Sequence, residues 1–155
     1  MHAMAWLLCA AGLWFVSMAQ EVEGVSDQLK AALETESYIY VATQRRNGEW
    51  SAAAPVWFTY DDDAIYFTTS PASHKARRLA RGGAVRLWVG RKDGPLLEGD
   101  AQLVNDLAVV ERMEERYKQK YWIAWLGFFR PRPARVAAGK TVAVKVAQLR
   151  TVQDK

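Results

Sequence analysis

The sequence predicts a mostly β protein, a small antiparallel barrel of six strands with two helices inserted between strands along the chain. Three observations lead to this fold class. Short runs of β-branched and aromatic residues recur along the chain, turn-forming Asn, Asp and Gly residues separate them, and several runs alternate apolar with polar positions. A last strand near the C-terminus would close the barrel and remove an exposed sheet edge.

The composition is that of one folded domain. The chain has 155 residues, of which 50% are apolar and 25% charged, and this length is too short for two domains of ordinary size. Cys9 is the single cysteine, so an intrachain disulfide is excluded. With only His2 and His74, we expect neither a protein-held zinc site nor a Ser-His-Asp hydrolase. We also expect no nucleic-acid partner, because the cations cluster on one helix and strand and do not interleave with exposed aromatic residues.

Residues 1–19 form an apolar N-terminal segment that we separate from the domain at 20–150. Residues 3–19 carry no charge, and three interpretations of them remain open. The run has the length and the small-residue ending of a signal peptide but no preceding Lys or Arg, and it sits at the short limit for a membrane span. In the third interpretation translation starts at Met18, and the preceding residues are an upstream extension. We expect a cytoplasmic protein, with membrane association through residues 3–19 as the open alternative.

A short helix from Ser26 to Glu34 opens the domain, capped by Ser26 or Asp27, and should cover one end of the barrel. Three strands follow it. Asn47-Gly48 marks a hairpin turn between the first two, and three consecutive aspartates at 61–63 mark the next turn. The three strands are Tyr38–Thr43, Trp50–Tyr60 and Ala64–Thr69.

A break after the third strand introduces a short basic helix. Pro71 ends the strand, Ser73 can cap a helix that runs to Arg81, and Gly82-Gly83 stops it. Seven Lys or Arg residues and no acid lie between positions 74 and 92. This part of the chain therefore suits an anionic ligand.

The start of this helix is the candidate binding site. Its first N–H groups, the Ser73 hydroxyl, the Lys75 ammonium and the Arg77 guanidinium could converge on one phosphate. The alternative is a solvated surface helix that carries ordinary cations.

The second half of the chain contains two alternating strands, an amphipathic helix and a closing strand. Glu98 and Asp100 fall on the solvent-facing side of the strand Leu96–Val104, and we interpret them as solvated charges. The aromatic segment 121–129 after the helix should be buried, line a pocket or lie at a subunit interface. The four elements are Ala84–Gly90, Leu96–Val104, a helix from Asp106 to Tyr121, and Lys140–Leu149.

Six motifs follow one another at characteristic spacings. They are Tyr38-Ile39-Tyr40-Val41-Ala42-Thr43, Arg46-Asn47-Gly48, Ala54-Pro55-Val56-Trp57-Phe58, Asp63-Ala64-Ile65-Tyr66-Phe67-Thr68-Thr69, Ser73-His74-Lys75-Ala76-Arg77-Arg78-Leu79 and Leu97-Glu98-Gly99-Asp100-Ala101. Their succession resembles the flavin-binding split barrels, a family that includes pyridoxamine 5′-phosphate oxidase-like proteins and deazaflavin-dependent oxidoreductases. The resemblance covers about residues 36–149.

The resemblance implies a mostly β fold, a six-stranded antiparallel split β-barrel with two or three flanking helices. It also implies a homodimer with the cofactor in a groove between the subunits. The chain is short at its C-terminus and lacks the Arg-and-His arrangement that holds the pyridoxal substrate in true pyridoxamine 5′-phosphate oxidases. By position, the implied cofactor-binding residues are Thr68 and Thr69 beside the ring or ribityl chain, Pro55, Val56 and Trp57 along the ring, and Ser73, Lys75 and Arg77 or Arg78 around the phosphate.

The implied function is that of an oxidoreductase that uses FMN or the deazaflavin coenzyme to transfer hydride to a small organic substrate. In such an enzyme the cofactor carries the hydride, so the protein binds and orients it and needs no nucleophile of its own. We therefore assign no catalytic residue and no metal ligand. The alternative is a non-catalytic protein that uses the same barrel to sequester or sense a flavin or haem.

Overall fold

The structure is a computed structural model that describes residues 24–127 and 129–153, except the side chain of Trp125. The predictions for residues 1–19, including the boundary at position 20, concern residues outside this range. The described residues form seven strands and five helices. In chain order these are α1 (Asp27–Thr35), β1 (Ile39–Thr43), β2 (Ala54–Val56), β3 (Phe58–Asp61), β4 (Ala64–Thr69), α2 (His74–Leu79), β5 (Ala84–Val89), β6 (Leu96–Val104), α3 (Leu107–Lys120), α4 (Trp122–Trp125), α5 (Pro133–Ala137) and β7 (Val142–Val152).

The strands form one antiparallel sheet in the order β2-β1-β5-β6-β7-β4-β3. Its two edge strands, β2 and β3, are consecutive in the chain and are separated only by Trp57. The chain itself therefore joins the two edges, and the sheet is a nearly closed barrel. This confirms the mostly β, split-barrel fold class.

The predicted strand Trp50–Tyr60 is divided into two. Its middle part, β2, pairs with β1, while its last part, β3, pairs with β4 at the other edge of the sheet. Trp57 is the one residue between them, and Trp50 makes only an isolated bridge with Gln44. The count is seven strands and not six, because one segment serves both edges of the split.

The barrel interior is filled by the inward-facing residues of the strands. Ile39, Phe58, Phe67 and Leu97 are among those with no exposed surface. The hairpin predicted at Asn47-Gly48 joins β1 to β2, and Gly48 has a φ of +85°, which favours glycine at that position.

Helix α1 packs on one end of the barrel. Its cap is Ser26, whose hydroxyl accepts a hydrogen bond from Leu29 N at 3.3 Å, so the choice between Ser26 and Asp27 is settled. Leu29 and Leu33 on its inner face belong to the barrel core. This agrees with the predicted position of the helix.

Helix α3 covers the outer face of the sheet. Asp106 caps it, and its buried residues Val110 and Met113 pack on Tyr66 and Val104. The helices α4 and α5 were not predicted, because they have four and five residues and are too short to show a period. Among the described residues, no helix has the length and apolar character needed to cross a membrane.

Glu98 is not a solvated charge, and this prediction was wrong. Its side chain is only 16% exposed and pairs with Arg86 Nε at 2.8 Å and Arg150 Nη2 at 3.2 Å. The three residues lie side by side on β5, β6 and β7. Strand alternation placed Glu98 on the outer face correctly, but the partners on the two neighbouring strands depend on the sheet register.

Candidate functional site

An open groove of about 460 Å³ lies where the barrel splits. Four of the predicted cofactor residues line it, three from the β2 segment and one from β4. The structure thus brings together residues that the sequence predicted on two separate strands. The lining residues are Tyr38, Pro55, Val56, Trp57, Thr68, Tyr117 and Phe129.

Trp57 is held through both its ring and its backbone. Its indole stacks on the Tyr121 ring, with centroids 4.5 Å apart and planes 5° apart, and the edge of Phe129 approaches it with centroids 5.6 Å apart. The Tyr117 hydroxyl donates to the Trp57 carbonyl at 2.7 Å. Each aromatic pair is worth about 0.5–1.5 kcal/mol beyond its buried area, so the Trp57 ring has a fixed orientation in the groove.

The Tyr121 hydroxyl connects the two sides of the split. It accepts a hydrogen bond from Phe58 N at 3.0 Å, at the start of β3. Its single proton is shared between the carbonyls of Phe58 at 2.8 Å and Ser37 at 2.9 Å, the second of which lies just before β1. Burial raises the pKa of the Tyr117 and Tyr121 hydroxyls, and both therefore stay protonated hydrogen-bond donors at neutral pH.

The contribution of these two tyrosines was missed in the sequence. Tyr117 and Tyr121 were placed on the apolar face of the helix at 106–121, but their partners at positions 57 and 58 lie about 60 residues earlier. The choice of tyrosine at these two apolar positions could nevertheless have indicated a bridging role. A buried tyrosine needs a hydrogen-bond partner for its hydroxyl, whereas leucine would have been enough for packing.

Helix α2 begins close to the groove. Ser73 caps it, since its hydroxyl accepts from Ala76 N at 3.0 Å, and the hydroxyl donates to Ser70 O at 2.7 Å. Thr69, the neighbour of the groove residue Thr68, lies 3.2 Å from the Ser73 hydroxyl. The proton of Ser73 is already used within the cap, so a phosphate contact from Ser73 would require release of Ser70 O. The helix ends at Leu79, two residues before the predicted end.

Lys75 is half-buried and has no hydrogen bond or ion pair with any residue that the structure describes. Burial lowers the pKa of its ammonium group, because the cation loses water without gaining a counter-charge. A desolvated cation without a partner is typical of a binding site for an anion.

Arg77 and Arg78 have different partners. Arg77 is exposed and donates to Nδ1 of His74 at 2.9 Å. Arg78 is half-buried and donates to Thr43 Oγ1 at 3.3 Å, where it borders a second cavity. None of Ser73, Lys75, Arg77 and Arg78 lines the groove itself.

The relationship to known proteins follows from the sequence profile. The profile of the pyridoxamine 5′-phosphate oxidase family matches residues 25–153, which span the whole barrel. The chain belongs to this family. The family predicted from the order of the motifs is therefore confirmed. Among curated proteins, none matches the sequence.

Solved structures related to this family member share its fold at low sequence identity. A candidate pyridoxamine 5′-phosphate oxidase from Listeria innocua is 19% identical with a TM-score of 0.57, over 83% of this chain and 98% of that one. A protein described as F420 reductase is 22% identical with a TM-score of 0.50, over 80% and 93%. The haem storage protein HutZ from Vibrio cholerae is 14% identical with a TM-score of 0.51, over 85% and 93%. At these identities the likeness shows the fold alone.

In this pyridoxamine 5′-phosphate oxidase family member, large apolar side chains are exposed in the segment that follows α3. Trp122, Leu126 and Phe129 are 78%, 62% and 74% exposed. The segment 121–129 was expected to be buried, to line a pocket or to lie at a subunit interface. Among the described residues, Tyr121 and Ala124 are buried and Phe129 lines the groove, while Trp122 and Leu126 are exposed, so the interface stays a prediction.

Lys120 is a further half-buried cation, which sequence reasoning did not single out. Its Nζ donates to the Leu33 carbonyl at 2.8 Å and lies 3.5 Å from the centroid of the Phe58 ring. Burial lowers the pKa of Lys120 to about 8, against the opposing effect of Glu34 and Glu36. The residue ties the end of α1 to the end of α3 next to the barrel split.

Proposed function

We propose that the protein is an oxidoreductase that uses FMN or the deazaflavin coenzyme to transfer hydride to a small organic substrate. The observation that carries this proposal is the groove at the barrel split, in which Pro55, Val56, Trp57 and Thr68 come together. Its volume of about 460 Å³ lies within the range of about 300–1,000 Å³ that is usual for small-molecule and cofactor pockets. Membership of the pyridoxamine 5′-phosphate oxidase family supports the assignment.

The lining of the groove suits a flat conjugated ring. Trp57 and Phe129 supply aromatic surface, and the half-buried Thr68 supplies a hydroxyl for a polar ring edge. Strand β2 pairs with β1 on one side only, so its other edge offers backbone polar groups as well.

We assign the phosphate of the cofactor to the start of α2, with Lys75 as its main cation. An anion there would compensate the charge that burial has desolvated. Thr69 and Ser73 stand beside it as a hydrogen-bonded pair. Arg77 is a better second cation than Arg78, because Arg77 is exposed and its hydrogen bond is to His74 at the start of α2, whereas Arg78 is held by Thr43 at the end of β1.

A bound flavin or deazaflavin would supply the hydride chemistry, and the chain would bind and orient it. The Tyr117 hydroxyl is committed to the Trp57 carbonyl, and the Tyr121 hydroxyl is committed to backbone groups of Phe58 and Ser37. We therefore assign both tyrosines to positioning Trp57 and not to proton transfer.

We infer that a second copy of the chain covers the groove, as a homodimer. Trp122 and Leu126 expose apolar surface in the same segment as Phe129, which lines the groove together with the exposed Tyr38. Monomeric proteins rarely expose large apolar surfaces, and a partner that buried Tyr38 and Phe129 would also enclose a ring bound in the groove.

A non-catalytic flavin- or haem-binding protein is the second candidate function. It is supported by the fold that the chain shares with the haem storage protein HutZ. Among the described residues the only histidine is His74, whose Nδ1 accepts from Arg77. Haem binding through His74 would have to break that contact or use the other ring nitrogen.

The test is titration of the purified full chain with FMN, with the deazaflavin coenzyme and with haem, followed by absorbance and fluorescence. We expect micromolar or tighter binding of FMN or the deazaflavin coenzyme. Lys75→Gln should weaken it by on the order of 10- to 100-fold, the usual effect of losing a charged hydrogen bond. Lys140→Gln, at an exposed position whose side chain has no hydrogen bond or ion pair with the described residues, is the matched control.

The outcomes separate the candidates. Turnover with a nicotinamide donor or with reduced deazaflavin distinguishes an enzyme from a carrier. If neither FMN nor the deazaflavin coenzyme binds at micromolar concentration, the oxidoreductase proposal fails, and haem binding alone would favour the second candidate.

A further inference from the structure

A second cavity, which we call the arginine cavity, lies at the opposite end of α2 from Ser73 and Lys75. Its volume is about 150 Å³. It is enclosed by the end of β1 and the hairpin turn that follows, and by the end of α2 with the glycine turn before β5. It shares no lining residue with the groove at the barrel split.

Four arginines line the arginine cavity, and no acidic residue does. They are Arg45, Arg46, Arg78 and Arg81. Arg45 has a counter-ion, since its Nη1 lies 3.3 Å from a carboxylate oxygen of Glu49. The other three have no carboxylate partner in the part of the chain that the structure describes.

The fold holds these like charges together. Arg78 is fixed by its hydrogen bond to Thr43, a buried residue at the end of β1. Arg81 is placed by a turn in which Gly82 and Gly83 have φ values of +72° and +131°, a conformation that other residues rarely adopt. Arg46 and Arg81 are exposed at the cavity and Arg78 is half-buried, and an anion among these three guanidinium groups would lower their mutual repulsion.

We propose that the arginine cavity binds a single phosphoryl group. The planar guanidinium fork matches the oxygens of a phosphate and donates two hydrogen bonds at once. A cavity of about 150 Å³ holds roughly five waters at about 30 Å³ each, which accommodates a phosphate ion or the phosphoryl end of a small ester. It cannot enclose a nucleotide or a flavin ring, since small-molecule pockets begin at about 300 Å³.

This site is independent of the proposed cofactor site. Lys75 lies in the first turn of α2 and Arg77 in its last turn, and neither lines the arginine cavity. The phosphoryl group can come from free inorganic phosphate or from a small phosphomonoester, and the two sources can be compared directly.

The test is calorimetric titration of the full chain with inorganic phosphate and with glycerol 3-phosphate at fixed ionic strength. Arg81→Gln and Arg46→Gln should each weaken binding by about tenfold or more, the usual effect of losing one charged hydrogen bond. Arg112→Gln removes the same charge from an exposed position on α3 and should change the affinity less than about twofold. Whichever of the two ligands binds more tightly identifies the source.

Thermal unfolding gives a readout that a structural role for Arg81 would not produce. Without phosphate, Arg81→Gln should unfold at the same temperature as the wild type or a higher one, because a like charge has been removed. Added phosphate should raise the unfolding temperature of the wild type more than that of Arg81→Gln.

Three results would overturn the proposal. The first is no phosphate binding up to about 10 mM, a concentration at which specific sites are occupied. The second is binding that Lys75→Gln abolishes and Arg81→Gln leaves unchanged, which would place the phosphate at the start of α2. The third is binding of a single-stranded oligonucleotide without any binding of phosphate or glycerol 3-phosphate.

Discussion

The Trp57 indole ring lies parallel to the Tyr121 phenol ring, with centroids 4.5 Å apart and ring planes 5° apart. Tyr121 also holds the backbone of Phe58, the residue next to Trp57, through its hydroxyl. Tyr121, the N-cap residue of α4, thus fixes both the Trp57 ring in the groove and the backbone of Phe58 at the barrel split.

Tyr121→Phe should separate these two contributions. The variant keeps the stacked ring but leaves the buried Phe58 N–H without its acceptor, so we expect the free energy of unfolding to fall by about 1–3 kcal/mol. Urea denaturation measures this change. Tyr38→Phe removes a hydroxyl from a residue that is 43% exposed and should have little effect. Equal losses at the two positions would contradict the bridging role of Tyr121.

Trp122→Glu should break the proposed homodimer. Trp122 is 78% exposed in the same segment as the groove residue Phe129, and a charge at the centre of an apolar interface is strongly unfavourable. Sedimentation velocity at micromolar concentration should show a dimer for the wild type and a monomer for the variant. Leu103→Glu, on β6 and already 37% exposed, should remain a dimer. A monomeric wild type would remove the basis for the interface.

Glu98→Gln should lower stability at neutral pH and not in acid. Burial by itself would raise the pKa of Glu98, but hydrogen bonds from Arg86 and Arg150 outweigh it and lower the pKa overall. A carboxyl whose pKa is lower in the folded state stabilises the fold above its unfolded pKa, and this contribution is lost as the pH falls through the folded pKa. We expect a loss of about 1–2 kcal/mol at pH 7.

Denaturation of wild type and variant between pH 7 and pH 3 checks the Glu98 prediction, since the difference between them should shrink toward acid pH. Glu49→Gln removes one partner of an ion pair whose carboxylate is 64% exposed, and it should cost less than about 0.5 kcal/mol. A difference for Glu98→Gln that is constant across this pH range would contradict the charged role of Glu98.

Because of Lys120, the free energy of unfolding should be larger at mildly alkaline pH than at pH 7. Burial lowers its pKa from 10.5 to about 8 in the folded state, so between these values the unfolded chain binds more protons at this site than the folded one. The free energy of unfolding therefore rises with pH across this window. Lys120→Met should lack that rise, as measured by urea denaturation at pH 7 to 10, with Lys140→Met as the exposed control. Parallel profiles for wild type and Lys120→Met would show that the site does not titrate in this window.

Elements with strong local signals were predicted closely. β6 has the predicted bounds, and α3 lies within one residue of them at each end, because an Asp cap and a regular apolar period are properties of neighbouring positions. Four of the residues predicted from the order of the motifs, Pro55, Val56, Trp57 and Thr68, line one groove, and their role in cofactor binding stays a prediction.

Features that depend on distant neighbours were not predicted. The division of Trp50–Tyr60 into β2 and β3 follows from pairing with two different strands, β1 and β4. Glu98 was taken as solvated, since its partners on β5 and β7 become adjacent only through the sheet register. Strand alternation says which face a residue occupies and not which residues lie beside it there.

The sequence by itself determined the mostly β fold, the family and the positions of the basic helix and the β2 motif, because each of these depends on residues that are close together in the chain. Tertiary structure decided how these parts meet. It brought Tyr117 and Tyr121 to the backbone at Trp57 and Phe58, and it directed Arg78 away from Lys75 toward Thr43 and the arginine cavity. The physical reason is that a hydrogen bond or a charge cluster depends on distances in space, and barrel closure sets those distances between residues far apart in sequence.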